Sequence, residues 1–150
     1  MKQFVTIVIG EEEFKARFQY EQAPQTCARF ASLLPWTQQL IHVRWSGEGC
    51  WIPLGNLDLN IGFENATSYP RPGQVIVYPG GMSETEVLIA YGSVRFASKV
   101  GQLAGNPLLT ITDKLDRLAE IGREILWSVM VARGGIEPPT RGFSVRSRQS

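Results

Sequence analysis

Two adjacent runs near the N-terminus limit the fold most strongly. "FVTIVIG" (4–10) is almost continuously apolar, and "FKARFQY" (14–20) alternates, with Phe14, Ala16, Phe18 and Tyr20 on one face and Lys15, Arg17 and Gln19 on the other. Only Gly10, Glu11, Glu12 and Glu13 lie between them. That is enough for a hairpin and too little for the crossover that parallel strands require, so the two runs pair antiparallel. The pattern recurs along the chain. "QLIHVRW" (39–45) and "CWIPL" (50–54) flank the turn "SGEG", and "GQVIVYP" (73–79), "EVLIAYG" (86–92) and "PLLTIT" (107–112) are rich in Val, Ile and Tyr between Gly and Pro. Two stretches break it. Cys27, Phe30, Ala31 and Leu34 recur at helical spacing, with Pro24 suited to a first turn and Pro35 to a stop, which predicts a helix over 24–34. "TDKLDRLAEIGREILW" predicts a second over 114–127, with Thr112 or Asp113 as cap, Leu115, Leu118, Ile125 and Leu126 inward, and Gly122 weakening it by about 1 kcal/mol. Seven or more strands against two helices read as mainly β, with residues 3–113 forming a mostly antiparallel sheet or barrel.

Length and composition point to one domain: 150 residues, 43% hydrophobic and 19% charged. The boundary is drawn at 131. Residues 132–150, "ARGGIEPPTRGFSVRSRQS", show no apolar periodicity and read as a disordered basic tail. The tail also resembles strings found where a bacterial reading frame runs on into a tRNA gene, so it is set aside from the functional reading. Four arginines against Glu137 give residues 133–150 a charge of +3, so the total of +1 leaves −2 for residues 1–132. A slightly acidic body without a basic stripe is not expected to bind nucleic acid. No apolar run approaches the roughly 20 residues of a membrane span, and the N-terminus is too acidic for a signal peptide, so the expected place is the cytoplasm. Cys27 and Cys50 stand alone and read as reduced structural thiols, and a lone histidine, His42, excludes a multi-histidine metal site. Neither a metal nor a cofactor is expected. Homo-oligomer formation is left open.

Several blocks carry a resemblance. The helix opening "APQTCARF" looks like the start of a cyclophilin, and "VRWSGEGCWIPLG", "ENATSYPRPG", "YPGGMSETEVLIAYG" and "VRFASKVGQLAGN", in that order, resemble the cyclophilin-like bacterial family known as domain of unknown function 3830. The likeness covers roughly residues 3–130 and implies a closed eight-stranded antiparallel barrel with two helices. It also matches Glu84 to a family block. The "QGGD"-type block of prolyl isomerases is missing after the first helix, so isomerase activity is expected to be absent or very weak.

The chemistry available is that of a pocket with aromatic walls and a few polar groups. Trp45, Trp51, Tyr78, Tyr91 and Phe96 supply walls. Alternation puts His42 and Arg44 on one face of their strand, with the wet outside as the plain alternative. Glu64 and Asn65 follow "IGF", and Glu84 and Glu86 follow Gly80 and Gly81, where loops meet strand ends. Arg44 and Arg95 would hold a carboxylate or carbonyl, Asn106 would make a polar contact, and Glu64 or Glu84 would accept a proton. The expected site joins Arg44, Glu64, Tyr78, Glu84, Tyr91 and Arg95 at one barrel mouth. The expected role is binding, with turnover left open, of a small carboxylate, amide or ureido compound in metabolite breakdown. The alternatives are a non-catalytic assembly subunit using the barrel surface and Trp36, and a degenerate prolyl isomerase.

Overall fold

The first hairpin forms as the pattern predicts. β1 (Phe4–Ile9) and β2 (Glu12–Phe18) pair antiparallel from Phe4↔Arg17 to Ile9↔Glu12, and Gly10 turns the chain at a φ of 62°. The computed structural model describes residues 3–134. After the hairpin come α1 (Pro24–Ala31), β3 (Trp36–His42), β4 (Gly47–Gly55), β5 (Gln74–Tyr78) and β6 (Thr85–Val94). β7 (Ala97–Ser98), β8 (Gly101–Gln102), β9 (Asn106–Ile111), α2 (Leu115–Glu124) and β10 (Trp127–Gly134) complete the order. Eight strands close a barrel in the order β1-β10-β3-β4-β6-β5-β9-β2, antiparallel throughout, and β7 and β8 make a separate ribbon. The chain is therefore mainly β, a closed antiparallel barrel with two helices.

Three expectations need correction. The second helix ends at Glu124, and Ile125 is already extended, at a φ of −73° and ψ of 125°. From Trp127 the chain pairs with both β1 (Ile9↔Met130, Val5↔Gly134) and β3 (Ile41↔Trp127, Trp36↔Ala132). Without β10 those two strands would present open edges, so pairing at long range overrides the helical signal. The boundary set at 131 accordingly moves to at least Gly134, and residues 135–150 of the expected tail lie outside the described residues. Finally, the Asp113 carboxylate accepts the Lys15 N–H at 2.8 Å rather than capping α2, and Leu115 and Leu126 are exposed.

The barrel interior is filled. Ile7, Phe14, Phe18, Ile52, Val87 and Leu108 meet inside, and the remaining void of about 20 Å³, lined by apolar side chains, has room for about one water and for no larger molecule. Cys27 and Cys50 are buried free thiols, both pushed up to about 12 by burial. A second apolar cluster forms on the outside of the barrel, where Phe96 and Leu103, flanking the β7–β8 ribbon, cover Ile76, Tyr78, Leu88 and Ala90. This cover explains why β6 is buried on both faces and reads as a continuous apolar run.

Candidate functional site

The outer cluster has an open end, and the pairing register determines what lies there. Trp51 pairs with Leu88, which pairs with Ile76; one step along the same face, Pro53 pairs with Glu86, which pairs with Tyr78. Glu86 thus stands on the outward face with Leu88 and Ala90, while Val87, Ile89 and Tyr91 point into the barrel. A cleft of about 170 Å³ opens at this point, lined chiefly by Arg44, Trp45, Trp51, Glu84, Glu86 and Lys99.

Its walls are pinned by short-range bonds. The Ser46 hydroxyl donates to the Ala97 carbonyl at 3.0 Å and accepts the Ala97 N–H at 2.9 Å, and the Arg95 N–H reaches the Ser46 carbonyl at 3.0 Å. The Tyr78 hydroxyl accepts the N–H groups of Met82 and Ser83 at 3.0 and 3.4 Å, which fixes the loop that delivers Glu84. Gly80 and Gly81 take φ values of 106° and 131° in that loop, a backbone shape that side chains resist.

Glu86 is the unusual group. It is 6% exposed, yet its carboxyl has no hydrogen-bond or ion-pair partner among the described residues. Burial first, and the neighbouring Glu84 second, push it up to about 7. Arg44, Lys99 and Glu84 likewise form no ion pair among the described residues. A carboxyl poised near neutrality in an apolar setting, with two cations and two indoles on the same cleft, can exchange a proton with a ligand or hold a polar nitrogen.

The expected residues divide into two groups. Arg44, Trp51 and Glu84 line the cleft, and Tyr78 supports it from beneath. The other five do not line it, and the constellation at a barrel mouth does not form. Glu64 accepts the N–H groups of Gln25 and Thr26 at 3.1 and 2.8 Å and the Thr26 hydroxyl at 2.7 Å, capping α1 in place of Ala23, which has no side chain for the purpose. Burial alone would raise its pKa, but these hydrogen bonds outweigh it and hold the carboxyl below its usual range. Asn106 is fully buried and satisfied, bonding Thr26 and Gly62 through its amide nitrogen and the Glu64 N–H through its oxygen. Asn65 donates to the Gln22 carbonyl at 2.8 Å. Tyr91 faces inward, and its hydroxyl meets His42 Nε2 at 2.8 Å. Arg95 is exposed and does not line the cleft. His42 and Arg44 do not point together, because β3 ends at His42 and its alternation ends with it.

Glu86 and Lys99 were not among the expected site residues. The signal for Glu86 was a carboxyl on the apolar face i, i+2, i+4 of "EVLIA", where a solvated acid has no place. No three His, Cys, Asp or Glu side chains among the described residues gather to hold a metal, and no helix among them is long and apolar enough to cross a membrane.

Among solved structures, the fold is similar to that of McbB in complex with tryptophan, with a TM-score of 0.67, 16% identity, and cover of 91% of this chain and 46% of that one. The chain thus spans about half the length of McbB. A hypothetical protein of Archaeoglobus fulgidus matches at a TM-score of 0.62 and 14% identity, over 89% of this chain and 95% of that one. A cyclophilin-type peptidyl-prolyl cis-trans isomerase of Cryptosporidium parvum matches at 0.55 and 10%, over 92% and 100%. These likenesses establish a cyclophilin-like fold. No curated protein sequence matches the chain. The sequence profile of DUF3830, proteins of unknown function, matches residues 5–133, and the chain belongs to that family.

Proposed function

We propose that the chain is a cytoplasmic small-molecule-binding protein whose site is the outer cleft, and that its ligand is a small metabolite bearing a carboxylate, amide or ureido group. The observation that carries this reading is the buried, unpartnered Glu86 carboxyl facing the cleft. Burying such a group without a partner is costly, so its retention is better accounted for by a ligand than by stability. Arg44 and Lys99 supply the anion-binding end, and Trp45 and Trp51 the apolar walls. If turnover occurs, Glu86 is the proton-transfer group in place of Glu64, which is committed to the helix. The tryptophan held by McbB supports small-molecule binding on this fold.

A thermal-shift screen of small carboxylates, amides and ureido compounds tests the reading. Ligand at 100 times its dissociation constant adds about 2.7 kcal/mol of stability, a readily measured shift. Glu86→Gln and Arg44→Ala should each weaken the response. A panel without any hit, or a hit unaffected by both substitutions, would remove the cleft from consideration.

One observation favours a second reading. Trp45, Met82 and Val100, in or beside the segments that line the cleft, are 56%, 76% and 49% exposed, an apolar rim that suits a partner chain in an assembly role.

A further inference from the structure

The cleft holds two kinds of charge that do not neutralise each other. Glu84 and Glu86 come from the start of β6 and the loop before it, whereas Arg44 follows β3 and Lys99 lies in the turn between β7 and β8. No ion pair joins the two sets among the described residues, although all four line a space of only about 170 Å³. We propose that the ligand of this cleft is a small zwitterion, with an ammonium nitrogen, primary or N-methylated, against Glu86, Glu84 and the indole faces, and a carboxylate at Arg44 and Lys99. The proposal rests on the small-molecule reading above and names the class of molecule.

Each simpler ligand leaves part of the cleft unmatched. An anion would satisfy the arginine and lysine but meet two carboxyls, and a cation would do the reverse. A neutral molecule would leave the ionised form of the buried Glu86 without a counter-charge. Indole faces attract ammonium groups, methylated ones included, while guanidinium grips a carboxylate with two parallel bonds. The volume is of the order of the ~150 Å³ cavity that holds a benzene, which suits a compact amino acid or its methylated relative.

A ligand of this kind must displace a proton. In the free protein, burial and Glu84 leave Glu86 partly protonated near neutrality. The groups that face it are Glu84 beside it, Tyr78 across the pair on β5, and Arg44 and Lys99 across the cleft; β4 offers Pro53 and Trp51, neither of which titrates. The Tyr78 hydroxyl is already held by Met82 and Ser83. An arriving ammonium favours the ionised Glu86, so binding releases a proton and tightens as the pH rises. Between pH 6 and pH 8 the gain should be about tenfold.

Calorimetric titration of the full chain with five probes tests this. Glycine and glycine betaine are the zwitterions, primary and methylated. N-carbamoylglycine keeps the carboxylate but replaces the ammonium with a neutral ureido group, choline keeps only a cation, and acetate only an anion. At least one zwitterion should bind more than tenfold tighter than choline or acetate, with the pH dependence above, and whichever prevails identifies the nitrogen. Glu86→Gln, checked for folding by its melting curve, should weaken that binding about tenfold at pH 8 and remove its pH dependence. N-carbamoylglycine binding as tightly as either zwitterion would overturn the proposal while leaving the small-molecule reading intact. Failure of both zwitterions at millimolar concentration would also overturn it, and the broader screen would then decide the parent reading alone.

Discussion

Two glutamates with opposite roles make the residue scale concrete. Glu86 holds its proton more tightly folded, at about 7, than unfolded, at 4.5, so between those values the native state binds more protons. Stability from this group is therefore full below the unfolded value and declines as the pH rises through 7, by roughly 3 kcal/mol in all. Glu64 runs the other way: its folded pKa is lowered, so its contribution is present above 4.5 and is lost as the pH falls through the folded value. Melting curves should show Glu86→Gln stabilising the protein at pH 8 and making little difference at pH 4. A Glu86→Gln protein no more stable than the parent at pH 8 would mean that the carboxyl has a partner. Glu64→Ala should lower stability by about 0.5–2 kcal/mol, as expected when the first turn of a helix loses its cap, and leave ligand binding in the cleft unchanged. Neither role was fully legible from the sequence. The pull of Glu64 toward Thr26 spans 38 residues, a distance at which no local pattern speaks, whereas the acid on the apolar face of "EVLIA" is a local signal that the reading of Glu86 as a strand-end carboxylate leaves unused.

Elements whose partners lie next to them in sequence were the readable ones. The hairpin of β1 and β2, the strands β5 and β6, and the amphipathic α1 each carry their signal within a dozen residues. β10 does not, because its reason for being extended is the gap between β1 and β3, far back in the chain. A chain ending at Gly134 should melt like the full-length protein, whereas one ending at Leu126 should lose its cooperative transition in calorimetry. Equal melting of the two would deny β10 its part in closure. α2 makes a second test available. A Cβ on Gly122 would come under 3 Å from atoms of the Tyr91 ring, so Gly122→Ala should cost about 1–3 kcal/mol by overpacking, despite the roughly 1 kcal/mol that alanine gains in a helix. The sequence reading counted that glycine only as a weakness of the helix. Its value lies in the close approach of helix to strand, which composition cannot express.

For the whole molecule, an apolar interior with only a small void is what places the proposed site on the outer wall. The eight-stranded barrel was legible from strand count and family likeness, but its contents were not, since whether side chains fill a barrel depends on their packing together. In a protease-coupled assay on proline peptides, the chain should not exceed the uncatalysed rate appreciably; turnover near that of an ordinary cyclophilin would make the cleft an isomerase site after all. Closure has a further consequence, in the order of events during synthesis. β10 is the last described strand to leave the ribosome, and it is the one that must slide between two of the earliest. Until it arrives, β1 and β3 each carry a bare row of backbone donors and acceptors, able to recruit a neighbouring nascent chain as readily as their own final strand. Folding to completion is thus deferred until β10 has been made, and any delay over the codons just before Gly134 would prolong the interval in which two unfinished copies can join edge to edge.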